Sequence, residues 1–278
     1  MPKISVNGAE LFAIEEGEGD PIVLVHGSLA DYRTWVLQVR EFSKRHRVIA
    51  YSRRYHFPNV SAEHDPQYGV AAQANDLAEV IRTRAGGIAH VVTSSFGSCV
   101  ALHAWQTSPE LFKTLTLCEP PLMPWLLKST EGKDLHRGVA EAQEASVRAF
   151  NAGNDKEGVR FFSDMAIGSG VFDAMQPRSQ ARIMDNRYEL SLEMKAPAES
   201  YFPQLACGRL SQLETPVLLL SSGRSPALYR VITEELAKCL PRARRETIPA
   251  STHIIHGTNP AAFNQAVTAF VGDAVTAR

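Results

Sequence analysis

The chain has 278 residues, of which 44% are hydrophobic and 21% are charged. This composition is ordinary for a folded globular protein, and the length suffices for one large α/β domain with an insertion or for two small domains. The formal net charge of −1 at pH 7 argues against nucleic acid or another polyanion as a partner.

The first part of the chain alternates strand and helix patterns. Asn7-Gly8 separates two alternating apolar and polar runs, at 3–6 and 10–15, and predicts a β-hairpin. Short continuous apolar runs then predict strands buried on both faces of a sheet, with helical patterns between them. The predicted strands are 21–25, 47–51, 88–93 and 115–118, and the predicted helices are 31–44, 70–85 and 96–106.

This alternation stops after residue 120. The region 124–210 contains no convincing buried strand and has helical patterns near 133–151, 155–166 and 178–195. Strands are again predicted at 216–220 and 245–248, and helices at 228–240 and 260–275. Alternating strands and helices indicate a mostly parallel sheet with right-handed crossovers. We therefore predict a core domain formed by 1–123 and 211–278, with residues 124–210 inserted as a helical lid.

Ser95 is the predicted nucleophile. It lies between a predicted strand and a predicted helix, in Thr93-Ser94-Ser95-Phe96-Gly97. The pattern resembles the G-x-S-x-G bend, which exposes a serine hydroxyl and needs small flanking residues. Gly97 stands two residues after Ser95 and therefore excludes Ser94, whereas Thr93 departs from the glycine of the motif. The alternative is that these serines only cap a helix.

His253 is the predicted base. A serine hydroxyl needs a base to take its proton, and histidine titrates close to neutral pH. His253 follows the last predicted strand, so its loop can return to the edge of the sheet where Ser95 is expected. His256 is the competing histidine, and we expect it to point toward the lid or the solvent.

Four stretches resemble the α/β-hydrolase superfamily, in its order along the chain. They are Val23–Gly27, the strand and loop 50–56, the Ser95 bend and the loop that carries His253. The resemblance implies a mostly parallel eight-stranded sheet with helices on both faces and an inserted helical lid. It also implies a hydrolase that needs no cofactor or metal. Serine at position 95, in place of aspartate, argues against a dehalogenase or an epoxide hydrolase.

The resemblance also implies an oxyanion hole. Acyl transfer requires two donors directed at the developing oxyanion. In this fold one donor is the backbone N–H after the nucleophile, here that of Phe96. We assign the second to Ser28, in the loop after the 21–25 strand, with Leu29 as the alternative. Gly27 lets this loop approach the substrate closely.

The acid of the triad is the main departure from the superfamily. An aspartate usually follows the strand predicted here at 216–220, but the corresponding position holds Ser225. We predict that Glu119 replaces it, because some superfamily members carry a glutamate at the end of the strand after the nucleophile helix. The alternative for Glu119 is a structural ion pair with Arg53 or Arg54.

These residues predict a hydrolase that acts on a small, mainly apolar ester or lactone through an acyl-enzyme on Ser95. We expect Leu29, Trp125, Phe161 and Met165 to line an apolar cavity under the lid, although aromatic residues at helical spacing also pack lid helices together. The alternatives are hydrolysis of a carbon–carbon bond by the same triad, a non-hydrolytic reaction, and ligand binding without turnover.

The remaining patterns predict the location of the protein, the state of its cysteines and its assembly. There is no signal-peptide pattern and no apolar run of 18 residues, so we expect a cytoplasmic protein without a membrane partner. The four cysteines have no metal-ligand spacing and lie among apolar residues, which predicts buried free thiols. We expect a small molecule as the ligand and a monomer or homodimer as the assembly. The cysteines are Cys99, Cys118, Cys207 and Cys239.

Overall fold

The computed structural model describes residues 3–61 and 64–276, the last two of these by their backbone only. Eight strands in these residues form one sheet. They are β1 (Lys3–Val6), β2 (Ala9–Glu16), β3 (Pro21–Val25), β4 (Arg47–Tyr51), β5 (Ala89–Thr93), β6 (Phe112–Cys118), β7 (Val217–Ser222) and β8 (Arg244–Ile248). Their spatial order is β1-β2-β4-β3-β5-β6-β7-β8.

Most of the sheet is parallel. The hairpin of β1 and β2 is antiparallel and turns at Asn7 and Gly8, whose φ angles of 43° and 76° suit a type I′ turn. β2 pairs with β4 in antiparallel orientation, and all remaining neighbours are parallel. The predicted eight-stranded, mostly parallel sheet is thus confirmed.

Helices follow the strands along the chain, as the sequence predicts. They are α1 (Val36–Phe42), α2 (Val70–Arg84), α3 (Phe96–Thr107), α4 (Thr130–Asn151), α5 (Asp155–Ile167), α6 (Pro177–Met184), α7 (Arg187–Lys195), α8 (Ala198–Tyr201), α9 (Cys207–Leu210), α10 (Ala227–Cys239), α11 (Ile255–Thr258) and α12 (Pro260–Thr276). None of the helices in the described residues has the length and apolar character needed to cross a bilayer.

The sheet is covered by helices on both faces, which explains its continuous apolar strands. In β3, Ile22 and Leu24 pack with residues of α1 and α12, whereas Val23 and Val25 pack with residues of α2, α3 and α10. Successive side chains of a strand point to opposite faces, so a strand between two helical layers needs apolar residues at every position.

The region 124–210, here called the inserted segment, lies between β6 and β7 and is helical. The sequence predicts a single helix over 178–195, but the structure has two helices, α6 and α7, separated near Asn186. This side chain is buried and makes hydrogen bonds to the core. Its Nδ2 donates to Asp31 Oδ2 at 3.0 Å, and its Oδ1 accepts from the N–H of Phe57 at 2.9 Å. The hydrogen bonds of Asn186, at the break between the two helices, thereby attach the inserted segment to the core.

The prediction of four free thiols is wrong for two of the cysteines. Cys207 and Cys239 form a disulfide, whereas Cys99 and Cys118 are free and buried. The two bridged residues are 32 positions apart in the chain, but the packing of α9 against α10 brings their Cα atoms to 4.9 Å. This separation lies within the range that a disulfide spans.

Candidate active site

Ser95 lies on a sharp bend between β5 and α3, as predicted. Its φ of 50° and ψ of −124° are uncommon for a residue other than glycine. The N–H of Ser95 donates to the carbonyl of Cys118 at 2.9 Å, which links the bend to the end of β6. The side chain is half-buried and lines two cavities. The hydroxyl is therefore accessible to a ligand.

Two glycines make this bend possible. A Cβ atom at Gly97 would lie 2.3 Å from the carbonyl oxygen of Val25, and one at Gly27 would lie 2.8 Å from Ser95 Cβ. Distances this short are forbidden by van der Waals repulsion, and at Gly97 the opposing atom is backbone that cannot rotate away. Gly97 thus lets α3 approach β3, and Gly27 lets the loop after β3 approach Ser95.

Thr93 is accommodated where the family motif has glycine. Its hydroxyl is buried, donates to the carbonyl of Thr116 at 2.8 Å and lies 2.6 Å from Ser98 Oγ. A buried hydroxyl is costly when it lacks a partner. These hydrogen bonds remove that cost, and the β-branched side chain points toward β6 and α3.

His253 and Glu119 are in direct contact. His253 Nδ1 lies 2.7 Å from Glu119 Oε2, and both side chains are buried. Glu119 Oε1 also accepts from the N–H of Ser222 at 2.7 Å, and Oε2 accepts from Ser225 Oγ at 2.9 Å. Burial by itself raises the pKa of Glu119, but its three hydrogen-bond donors outweigh burial and hold the pKa below its ordinary value. Glu119 is therefore a carboxylate at neutral pH.

The second ring nitrogen of His253, Nε2, is buried and has no hydrogen-bond partner among the described residues. His253 lines the same cavity as Ser95. The Tyr229 ring stacks on the imidazole, with centroids 3.8 Å apart and planes 9° apart. Tyr229 and Glu119 thus hold the ring in a single orientation.

The alternative role of Glu119 is not realised. Arg54 pairs with Asp76 at 2.7 Å, and Arg53 pairs with Glu189 at 3.9 Å. Neither arginine forms an ion pair with Glu119.

The expectation that His256 points toward the lid or the solvent is wrong. His256 is buried, its Nε2 lies 2.7 Å from Thr34 Oγ1, and its ring stacks on Trp35 with centroids 4.3 Å apart. Burial lowers the pKa of His256 to about 3. A neutral imidazole with its Nε2 engaged in this way has a structural role.

The candidate oxyanion hole is formed by two loops that meet at Ser95. None of the backbone hydrogen bonds of the described residues uses the N–H of Ser28, Leu29 or Phe96. Leu29 has a φ of 52°, which turns the chain sharply after β3. The N–H groups of Ser28 and Phe96 thus remain candidates for the two donors.

A family model described as "Alpha/beta hydrolase family" matches residues 22–266. The chain belongs to this family. It is 24% identical to (E)-2-((N-methylformamido)methylene)succinate hydrolase from Acinetobacter baylyi over 92% of each chain. It also resembles the solved structures of a thermophilic esterase from Thermogutta terrifontis (TM-score 0.75, 20% identity, 98% of each chain) and of Est816, described as an N-acyl homoserine lactone degrading enzyme (TM-score 0.73, 18% identity, 97% of this chain and 100% of the other). At these identities the two structures show the common fold.

Two cavities meet at Ser95 in this α/β hydrolase. The outer chamber has a volume of about 510 Å³ and contains His253, and the inner chamber has a volume of about 30 Å³. Both are lined by Ser28, Ser95 and Phe162. The outer chamber is mainly apolar and includes Leu29, Leu37, Ile167, Met175 and Ile183. The described residues contain no group of three side chains that could hold a metal ion.

The structure separates the four predicted substrate contacts of this α/β hydrolase. Leu29 lines the outer chamber and Met165 the inner one. Trp125 and Phe161 line neither chamber. The ammonium group of Lys128 covers the ring of the buried Trp125, and the guanidinium of Arg160 lies 4.6 Å from the centroid of the half-buried Phe161. Both rings pack within the inserted segment and its junction with the core.

Tertiary packing decides which side chains reach the site, and the sequence alone does not predict all of them. Tyr229 stands in a helix with nothing to mark it, and its stacking on His253 depends on how α10 packs. Phe162 lines both chambers and its neighbour Phe161 lines neither, because successive side chains on a helix point about 100° apart. Glu193 could have been found from the sequence, because it and Glu189 lie one turn apart among the apolar residues of α7, where a charged side chain is unusual.

Proposed function

We propose that this α/β hydrolase cleaves a small, mainly apolar ester or lactone through an acyl-enzyme on Ser95. The observation that carries the proposal is the 2.7 Å contact between His253 Nδ1 and Glu119, with Nε2 unpartnered in the chamber that Ser95 lines. A carboxylate at Nδ1 fixes the tautomer in which Nε2 is a base, and it stabilises the imidazolium that forms.

The reaction follows from this arrangement. His253 Nε2 takes the proton of Ser95 Oγ while Oγ bonds to the carbonyl carbon, and the N–H groups of Ser28 and Phe96 stabilise the oxyanion. The tetrahedral intermediate then collapses, the bond to the leaving alkoxide breaks, and His253 gives its proton to that oxygen. Water attacks the acyl-enzyme with His253 again as base, which releases the acid and restores Ser95.

The outer chamber supports the substrate class. Its volume suits a small molecule, and its apolar side chains suit a mainly hydrocarbon leaving group. The two structural neighbours, an esterase and a lactone-degrading enzyme by name, agree with this class. Position 225 holds serine in place of the usual aspartate, but Glu119 contacts His253 with a carboxylate, which favours turnover over ligand binding alone.

A fluorophosphonate probe tests the proposal, since it reacts with an activated serine. We expect the probe to label the protein, Ser95→Ala to abolish labelling, and Ser94→Ala to retain it. Turnover of p-nitrophenyl esters by the same preparations should follow the same pattern. Unchanged labelling of a folded Ser95→Ala variant would contradict the proposal. Cleavage of a vinylogous diketone, without turnover of esters, would indicate the carbon–carbon hydrolase instead.

A further inference from the structure

The inner chamber contains a carboxyl group that the proposed mechanism does not use. Glu193, on α7 of the inserted segment, is fully buried and lines this chamber next to Ser95. Its Oε1 accepts hydrogen bonds from Ser28 Oγ, at 2.5 Å, and from the hydroxyl of Tyr201. Its Oε2 is buried and has no partner among the described residues.

The charges around Glu193 determine its protonation state. The guanidinium of Arg53 lies near Glu189 and donates to the carbonyls of His26 and Gly27. Glu193 forms no salt bridge with a lysine, arginine or histidine among the described residues. An unpaired buried carboxylate is strongly disfavoured. Burial, and then the neighbouring charge of Glu189, raise the pKa of Glu193 to about 8, against the opposing hydrogen bonds to Oε1. The side chain is therefore a neutral acid, and because two donors occupy Oε1, its proton lies on Oε2.

The position of His253 assigns the two chambers to the two parts of the substrate. His253 must protonate the leaving oxygen, and it lines the outer chamber only. The leaving group therefore lies in the outer chamber and the acyl group in the inner one. A volume of about 30 Å³ leaves room for only a small group, since a water molecule needs roughly 10–15 Å³ by the same measure.

We propose that the Oε2–H group of Glu193 donates a hydrogen bond to a second carbonyl oxygen on a short acyl chain, and thereby selects oxo-acyl esters or lactones. This inference rests on the proposed function for the placement of the acyl group. A buried donor without a partner disfavours a plain alkyl chain, which leaves it unsatisfied, and favours an acyl group that satisfies it. Ser28 connects this subsite to the oxyanion loop, because its hydroxyl donates to Glu193 Oε1.

The other titratable groups around Glu193 come from several elements. The groups that interact electrostatically with it are Arg53, Tyr68, Cys99, Glu189, Tyr201 and Tyr229. Burial raises the pKa of the Cys99 thiol and of all three phenols well above their ordinary values. Burial also raises the pKa of Glu189, to about 7. Glu189 lies 3.9 Å from the Arg53 guanidinium and has the lower pKa of the two acids, so it ionises before Glu193.

The test measures binding to Ser95→Ala protein, in which turnover cannot intervene. Ethyl 3-oxobutanoate is compared with ethyl butanoate, and ethyl 4-oxopentanoate with ethyl pentanoate, by isothermal titration calorimetry at pH 6.5. We expect at least one oxo-ester to bind about 5- to 10-fold more tightly than its alkanoate, which is the effect of one neutral hydrogen bond. Equal affinities in both pairs would overturn the proposal.

Two substitutions at Glu193 in the Ser95→Ala background identify the donor. Glu193→Gln keeps a carbonyl for Ser28 and Tyr201 and an N–H₂ donor for the ligand, so the preference should persist. Glu193→Leu removes the donor, so the preference should disappear. At pH 9 the preference should weaken in the protein that retains Glu193, whose acid has ionised, and stay unchanged in the Glu193→Gln variant. A preference that survives Glu193→Leu would overturn the proposal, as would loss of the preference in a folded Glu193→Gln variant.

A ligand with an ammonium group tests whether Glu193 is a carboxylate and not a neutral acid. Ethyl 4-aminobutanoate binding more tightly than ethyl butanoate at pH 6.5 would show that Glu193 is already a carboxylate at that pH and would overturn the proposal. Because these measurements record binding, they remain informative if no ester is hydrolysed. Failure of the proposed function would appear separately, as the absence of fluorophosphonate labelling in the protein that retains Ser95.

Discussion

Ser225 donates a hydrogen bond to Glu119 Oε2, at 2.9 Å, from the position where the superfamily usually carries its triad aspartate. Two strand ends thus meet at His253, since the residue after β6 supplies the carboxylate, and the end of β7 and the loop after it supply donors that keep it ionised. The N–H of Ser222 completes this set at 2.7 Å. In the proposed triad, the acid therefore follows β6 and contacts the imidazole at 2.7 Å.

Glu119→Gln should lower kcat/KM for a p-nitrophenyl ester by about 10²- to 10⁴-fold, because an amide cannot stabilise the imidazolium or enforce its tautomer. Initial rates at pH 8 check this. Glu141→Gln, on the exposed surface of α4, is the control and should leave the rate unchanged. A wild-type rate for Glu119→Gln would show that Glu119 is not the acid of the triad.

Moving the carboxylate back to β7 should restore part of the activity. Glu119→Ala removes the acid, and Ser225→Asp places one within reach of the same imidazole, since Ser225 Oγ lies close to the oxygen that now contacts His253. The double variant should be at least about tenfold more active than Glu119→Ala alone, because the orienting acid is worth several orders of magnitude. Ser225→Asp alone should lose activity through repulsion between the two carboxylates. Equal rates for the double variant and Glu119→Ala would contradict this account.

Gly97→Ala should destabilise the protein by about 2–3 kcal/mol, because the new methyl group meets the backbone carbonyl of Val25 and forces β3 and α3 apart. Gly138→Ala is the matched control, since it also lies in a helix but has open space around its Cα. That substitution should stabilise the protein by about 0.5–1 kcal/mol through helix propensity. Urea unfolding of both variants measures the difference, and equal stabilities would contradict the close approach at Gly97.

The disulfide between Cys207 and Cys239 predicts the number of reactive thiols. Unfolded, non-reduced protein should show two thiols in a colorimetric assay, from Cys99 and Cys118, and reduced protein should show four. Reduction should also lower the free energy of unfolding by about 3–4 kcal/mol, the chain-entropy value for a loop of this length. Four reactive thiols before reduction would show that the bridge is absent in solution.

Burial of His256 predicts a dependence of stability on pH. Its pKa is about 3 in the folded protein, against an ordinary value of 6.5, so the unfolded chain takes up the proton first as the pH falls. The stabilisation is complete above pH 6.5 and is lost progressively as the pH falls toward 3. Between pH 7.5 and 5.5 the free energy of unfolding should fall by roughly 1.4 kcal/mol more in the wild type than in His256→Gln. Parallel pH profiles for the two proteins would contradict the neutral, buried imidazole.

The sequence determined the order and the type of the elements in the core. Continuous apolar runs specify strands that are covered on both faces, and Asn7-Gly8 specifies the turn of the hairpin, because both are consequences of local side-chain and backbone chemistry. The bend at Ser95 is also local, since Gly97 and the neighbouring small residues have to lie beside it in the chain. These features could therefore be predicted without coordinates.

Tertiary structure decided everything that depends on distant residues meeting. Glu119, Ser225 and His253 belong to three separate loops, and their contact follows from parallel strands that end at one edge of the sheet. The disulfide required α9 to pack on α10, and the break between α6 and α7 required Asn186 to find Asp31 in the core. The neutral acid at Glu193 required burial without a salt bridge among the described residues. The sequence specifies which groups are present, but distance, burial and neighbouring charge determine their chemistry, and these arise only when the chain folds.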